Sequence, residues 1–559
     1  MTQAILKLLT HVPSILLLLP FIVGLSLLWP RFGHSWFSKI EAWLQALARR
    51  RILAAILLAL LPAALRLAAL PGVGVPVPYI QDEFGHLLVA DTLLHGRLAN
   101  PPHSNPEFFE TIYVLQRPTY SSIYPIGIGI SLAIGRLLFG HPWGGVLLFV
   151  SLMCAGVYWM LLNWVSPGWA LIGGAITIMS FGPTSYWTNT YWCGGAAAFA
   201  GCLIFGALPR LPGKSRAFYG LILGLGFSYA FLIRPFETTL AGLCVAAFVF
   251  LHRVDIHWVR FAPKLLFLTA GLAPAVLITA LHNHAVTGKY SELPYLLSRH
   301  EYGVPQTFSF QPAAVPSHAL TSEQHGMYEF QRKSHDSIST FTNWAKALPN
   351  RFTLFRLYLG IALVPILIVL PFCRFDRQLV WIIGSIGLVI LGGSFYGFTQ
   401  DHYIAPFIGL FPLLAITAMK RLNEFAWGRT AVRLFLMLAL CHFMELYVLF
   451  AAGNSLPILT GKHKNLSSNA NVVTSSPRSR VLNQVARQGG RHVVFVRYLP
   501  GHNVLSEWVY NSADIDSSRV IWARDRGPEE DMHLMDTYKG RTAWRVEVAP
   551  GRSELTRLP

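Results

Sequence analysis

Long apolar runs alternate along this chain with short polar segments, and two longer polar stretches interrupt the series. The runs at 12-30, 52-70, 143-163, 262-281 and 431-452 approach or exceed the ~20 residues a helix needs to cross a bilayer. Further apolar runs at 168-184, 193-209, 216-233, 236-251, 353-372, 379-397 and 403-419 complete the expected spans. The pattern predicts an all-α polytopic membrane bundle of about 11–13 transmembrane helices.

Charge assigns the two sides. The basic residues fall in short clusters between apolar runs: Arg49-Arg50-Arg51; Arg210, Lys214 and Arg216; Arg253, Arg260 and Lys264; Arg374 and Arg377; Lys420, Arg421, Arg429 and Arg433. One assignment places every cluster beside the anionic inner leaflet. It leaves 71-142 and 282-352 as external loops and 453-559 as an external tail. Segment 124-139 (YPIGIGISLAIGRLLF) then lies between two external points and is too short to cross, so it is expected to be a juxtamembrane or re-entrant helix. The block 12-30 follows Lys7 like a signal peptide, but it is long and has no small-residue cleavage site, so it is read as retained. A basic amphipathic segment, 34-51, joins it to the next span along the inner surface. The expected organisation is an N-terminal extension at 1-51, a transmembrane domain at 52-452 and a soluble domain at 453-559.

The tail follows a different pattern. Ser475-Ser476 starts a helix over Pro477 to Gln488, and Gly489-Gly490 stops it. Strands are expected at His492-Tyr498, Val520-Arg524 and Ala543-Val548, with a helix at Glu529-Tyr538. A strand-helix-strand crossover predicts a small parallel α/β sheet. It has no glycine-rich phosphate loop, which argues against nucleotide binding.

Composition narrows the function. The chain is 53% hydrophobic and 13% charged, against about 25% charged in soluble domains, which excludes a single soluble globule. The net charge of +18 is spread over short clusters without interleaved aromatics, so nucleic acid is not an expected partner. Cys154, Cys193, Cys202, Cys244, Cys373 and Cys441 all lie in or beside apolar segments, which supports neither a disulfide framework nor a paired-cysteine zinc site.

The richest chemistry follows the 52-70 span, in Tyr79-Ile80-Gln81-Asp82-Glu83-Phe84-Gly85-His86. Transfer of a sugar to a hydroxyl needs a carboxylate to take the proton, and the departing phosphate needs a cation. Asp82 and Glu83 are the candidate acids. His86, one helical turn on, is a candidate ligand for a divalent ion, as are His282 and His284 at the start of the second external loop and Asp401-His402 in a later external turn. Arg234, at the external end of a span and followed by Pro235 and Glu237, either forks a lipid phosphate or pairs with Glu237 as an interfacial anchor. Arg117 and Lys289 are further candidate phosphate contacts. Tyr186-Trp187 and Tyr191-Trp192 are expected to form an aromatic belt at the external membrane interface.

These residues resemble the large integral-membrane glycosyltransferases of the GT-C fold, among them the protein O-mannosyltransferases and the bacterial aminoarabinose transferase that modifies lipid A. Asp82-Glu83 matches the acidic pair that opens the family's first external loop, and Tyr124-Pro125-Ile126-Gly127 is similar to the start of its next apolar segment. Tyr191 to Gly195, Arg234 to Glu237, Asn283 to Tyr295 and Glu507 to Tyr510 resemble stretches of uncharacterised bacterial members. In the family the pair follows the first span, so the run 52-70 corresponds to that span and 1-51 is an extension. The resemblance implies an inverting transferase of the bacterial inner membrane, with Asp82 as general base, Glu83 beside it, and Arg234, Glu237, Tyr124, Arg117 and Lys289 binding substrate. The implied donor is a polyprenyl-phosphate-linked sugar, the acceptor is a glycan, lipid or protein hydroxyl, and a divalent metal ion is the one cofactor in view. A flippase of lipid-linked saccharides or a non-catalytic assembly subunit is the alternative, and the flippase calls for charges at mid-membrane.

Overall fold

Helices dominate because backbone groups in hydrocarbon must pair within their own segment. The computed structural model describes residues 18–211, 217–252, 258–305, 307–453 and 472–559. The start of the 12-30 run, Lys214, Arg216, Arg253 and the first part of the tail lie outside the described residues, as does the side chain of Arg260. Among the described residues, four helices are long and apolar enough to cross a membrane: Arg51–Ala68, Trp143–Leu161, Ala262–Thr287 and Gly428–Ala451. Shorter apolar helices pack with them, including Pro167–Phe181, Gly194–Ala207, Phe218–Ile233, Pro235–Leu251 and Arg377–Gly393. Small residues let the helices approach closely. A Cβ on Gly224 would lie 2.8 Å from the Cα of Gly271, so the helix Phe218–Ile233 lies backbone to backbone on Trp258–Thr287.

Two expected spans are bent. The 353-372 run is not one straight helix: Phe341–Leu359 and Val364–Phe372 meet at 112°. Gly360, at φ +72°, turns the chain between them, and Pro365 and Pro371 deny later turns their amide donors. The 403-419 run likewise divides into Asp401–Phe407 and Leu410–Leu422, bent by 66°, with Pro406 before the break. Segment 124-139 forms the helix Ile126–Phe139, whose 14 residues reach about 21 Å, less than the hydrocarbon thickness of about 30 Å.

The amphipathic segment forms the helix His34–Arg49. Its Glu41 accepts from Arg433 at 2.7 Å and from Arg429 at 2.6 Å, tying the segment to the first turns of the last long helix. The arginines thus neutralise an acid as well as marking the basic end.

The tail forms a four-stranded sheet: β1 (His492–Tyr498), β2 (Val520–Arg524), β3 (Thr542–Ala549) and β4 (Arg552–Arg557), in the order β2-β1-β3-β4. β1 pairs parallel with β2 and β3, as the crossover predicts, and β4 adds antiparallel to β3. β4 escapes the sequence reading because RSELTR is polar and its exposed edge needs no apolar face.

Candidate active site

The helix Gln81–Leu94 carries the acidic pair on its first turn. Glu83 is buried and does not enter the cavity beside Asp82. Its carboxylate accepts from the amides of Tyr79 at 2.8 Å, Ile80 at 3.1 Å and Tyr191 at 2.9 Å. It caps the free amides of the helix start and fastens them to the turn at 182-193. Burial raises the Glu83 pKa, and the three amides oppose that rise.

Asp82 points elsewhere. Its Oδ1 accepts the hydroxyl of Tyr124, and the positive charge of Arg234 acts on the same carboxyl. Burial nonetheless raises the Asp82 pKa above its ordinary value. One turn on, His86 packs its ring 4.3 Å from that of Tyr124. Burial, then the Arg234 charge, lower its pKa to about 3, so the imidazole is neutral at physiological pH. Gly85 makes this proximity possible: a Cβ there would lie 2.8 Å from the Tyr124 ring.

These groups line a cavity of about 410 Å³ with a largely apolar wall. Arg234 and Glu237 reach it from the junction of Phe218–Ile233 and Pro235–Leu251, His282 and Asn283 from the end of Trp258–Thr287, and His402 and Tyr403 from the bent pair. The Arg234 guanidinium lies over the Tyr403 ring, 4.1 Å from its centroid. The sequence therefore brings Asp82, His86, Tyr124, Arg234, Glu237, His282 and His402 into one cavity. Other candidates lie elsewhere: His284 stacks on Tyr290, Lys289 pairs with Glu292 at 3.1 Å, and Arg117 is exposed. Asp401 offers its backbone carbonyl to the hydroxyl of Tyr358 at 2.6 Å, and its side chain is not in the wall. Among the described residues no three His, Cys, Asp or Glu side chains gather as a metal-ligand set. Of the metal-ligand candidates, His86, His282 and His402 lie in the cavity wall with Asp82.

The aromatic belt does not form as expected. Trp187 is fully buried and Tyr191 nearly so. The turn folds inward because its polar backbone finds partners there. Asn189 accepts from Arg66 at 2.6 Å, the Thr188 carbonyl accepts from Trp143 at 2.8 Å, and the Tyr191 amide reaches Glu83. His402 then stacks on Trp192, with centroids 4.8 Å apart.

The second loop and the tail domain roof the site. The helix Ser322–Asp336 places Met327, Phe330 and Gln331 in the cavity wall, and Leu505 joins them from the tail. At its start, Glu323 pairs with Arg524 on β2 at 2.5 Å, and Arg524 also bonds Glu507 at 2.7 Å and the carbonyl of Glu110 in the first loop. The tail grips the Asp82 helix directly. Phe84 stacks on Tyr510 at 4.5 Å, with Arg478 over its ring at 4.7 Å. Tyr403, Gln331 and Leu505 carry no signal in the sequence, since each is one ordinary residue whose place is set by the fold.

Neither a protein-family model nor a curated protein matches the sequence. Among solved structures, the chain is similar to apo ArnT from Cupriavidus metallidurans, at 15% identity over 89% of this chain and 93% of that one, with a TM-score of 0.50. The fold is GT-C. The same transferase bound to undecaprenyl phosphate aligns at 13% identity over 87% of this chain and 92% of that one, with a TM-score of 0.48. An Archaeoglobus fulgidus oligosaccharyltransferase tethered to an acceptor peptide aligns at 10% identity over 89% and 68%, with a TM-score of 0.48. With its apolar helices, this GT-C chain is an integral membrane protein. Its cavity lies between the bundle and the two long loops.

Proposed function

We propose that the chain is an inverting glycosyltransferase that moves a sugar from a polyprenyl-phosphate carrier to an acceptor hydroxyl on the extracytoplasmic side of a bacterial inner membrane. The meeting of Asp82 and Arg234 in one mostly apolar cavity carries this reading. The side rests on the basic clusters, which leave both long loops external.

The acceptor hydroxyl gives its proton to Asp82 while its oxygen bonds to the anomeric carbon. The bond from that carbon to the phosphate oxygen breaks, and the electron pair leaves with the prenyl phosphate. Attack opposite the departing phosphate inverts the centre. Arg234 faces the charge that develops there, and its planar fork suits two phosphate oxygens. Tyr403 holds the plane of that fork from below. Tyr124 orients the Asp82 carboxylate, and Glu83 positions the helix that carries it. Holding donor and acceptor in one cavity supplies proximity.

Reconstituted transfer from synthetic prenyl-phosphate sugars tests the reading. Asp82→Asn is expected to lower turnover by about 10²–10⁴-fold while expression and melting temperature hold. Near-normal turnover in that variant removes Asp82 from the reaction.

A further inference from the structure

Among the described residues, two that are not glycine hold a positive φ: Tyr113 at +63° and Cys193 at +47°. Cys193 caps the helix Gly194–Ala207 and is not in the cavity wall, whereas Tyr113 lines the cavity. Left-handed backbone crowds the Cβ of an L residue, and a bulky side chain is rarely found there. Tyr113 stands in the turn from Thr111 to Val114, and its carbonyl accepts from the Ile123 amide at 3.2 Å. The first loop thus holds its backbone in this state. Glycine or asparagine would fit the turn with less strain. A ring kept at such a position beside a reacting group points to use.

The Tyr113 side chain has two contacts that lead in opposite directions. Its hydroxyl pairs with the side-chain amide of Gln331 on the roof helix Ser322–Asp336. Its ring meets that of Tyr124 edge to face, with centroids 5.8 Å apart and planes at 77°. Tyr124 in turn donates its hydroxyl to Asp82. One line of contacts therefore runs from the roof through Tyr113 and Tyr124 to the carboxylate. Tyr113 is 8% exposed and packs in an apolar cluster with Ile123 and Met327, which keeps the ring in place.

We infer that Tyr113 is a positioning residue of the transfer reaction, bracing Tyr124 against the roof helix and so fixing the aim of Asp82. The inference rests on the glycosyl-transfer reading, in which Asp82 is the base. A displacement of about 1 Å in a reacting group can cost about 10²-fold in rate. Because Tyr113 acts through Tyr124, its loss falls on turnover and leaves donor affinity alone.

Reconstituted transfer by the full chain in nanodiscs tests this, with citronellyl-phosphate-linked glucose and mannose as donors and a bacterial envelope extract as acceptor source. Tyr113→Asn, which suits the left-handed turn and removes the ring, is expected to lower kcat about 10²-fold with donor KM within about twofold. Tyr113→Phe keeps the ring and is expected to recover about tenfold or more of that loss, with kcat still about threefold or more below wild type. In a Tyr124→Phe chain, where the Asp82 bond is already gone, Tyr113→Asn is expected to lower kcat by no more than about threefold further. A residue that only supports the fold would add its full loss there. Melting temperatures show which variants are folded at the assay temperature, and Tyr113→Phe carries the kcat-against-KM test if the asparagine variant is not. Wild-type kcat in a folded Tyr113 variant, a loss carried by KM, or a full additive loss in the Tyr124→Phe chain overturns the inference. The reading itself stands in those cases as long as Asp82→Asn abolishes transfer. Absence of turnover by the wild-type chain overturns the reading, and this inference with it.

Discussion

Tyr124 donates its hydroxyl to Oδ1 of Asp82, linking the start of the short apolar helix to the first turn of the acidic one. The bond and the Arg234 charge favour the ionised carboxylate, while burial works against it more strongly. The folded-state pKa is therefore raised, and the folded chain holds the Asp82 proton more firmly than the unfolded chain does. This group's contribution to stability is favourable at low pH and declines as pH rises from 3.8 through the raised value. A base must be ionised, so transfer should gain rate with pH over an acid limb lying above pH 3.8. Tyr124→Phe removes one lowering influence, and the limb of its pH–rate profile is expected to move to higher pH. An unchanged limb would detach that ionisation from Asp82.

Arg234 combines a planar fork with a ring beneath it. Lysine keeps the charge but loses both features. Arg234→Lys is expected to raise KM for a prenyl-phosphate donor about tenfold or more, a shift of about 1.4 kcal/mol or more. Donor titrations at saturating acceptor measure it, and an unchanged KM would place the phosphate elsewhere.

Glu83 serves three amides and no cavity atom. Glu83→Ala leaves buried donors unpaired and is expected to cost about 1–3 kcal/mol of stability. Thermal melting in detergent measures the loss. Melting at the wild-type temperature would show that these amides find other partners.

The Arg524 junction joins both external loops to the tail. Removing the arginine strands the carboxylates of Glu323 and Glu507, a change that typically costs about 3–5 kcal/mol in a buried pair. Arg524→Ala is expected to speed proteolysis within the second loop and to weaken donor binding. An Arg524→Met, Glu323→Gln double variant should recover part of the protease resistance, because no buried charge at Glu323 is then left alone.

Hydrophobic periodicity made the bundle legible, and the tail strands could be read because Val, Ile and Trp recur between turn residues. Asp82, His86 and Tyr124 were legible from spacing and resemblance. Glu83 was misplaced because adjacent residues on a helix point about 100° apart, so an acidic pair need not share one site. The aromatic turn was misjudged for a tertiary reason: the composition of an interface belt and that of a buried turn are alike, and Arg66 and Glu83, distant in sequence, decided between them. Bends at Gly360 and Pro406 escaped because hydropathy averages over a window and does not register a change of direction.

Phe84 is gripped by Tyr510 and Arg478 of the tail, two positions from the proposed base on one side and two from His86 on the other. The tail is therefore a handle on the helix that carries the proposed base. A nanobody that twists this domain should slow the proposed transfer without entering the cavity, and a fusion partner that strains it should do the same.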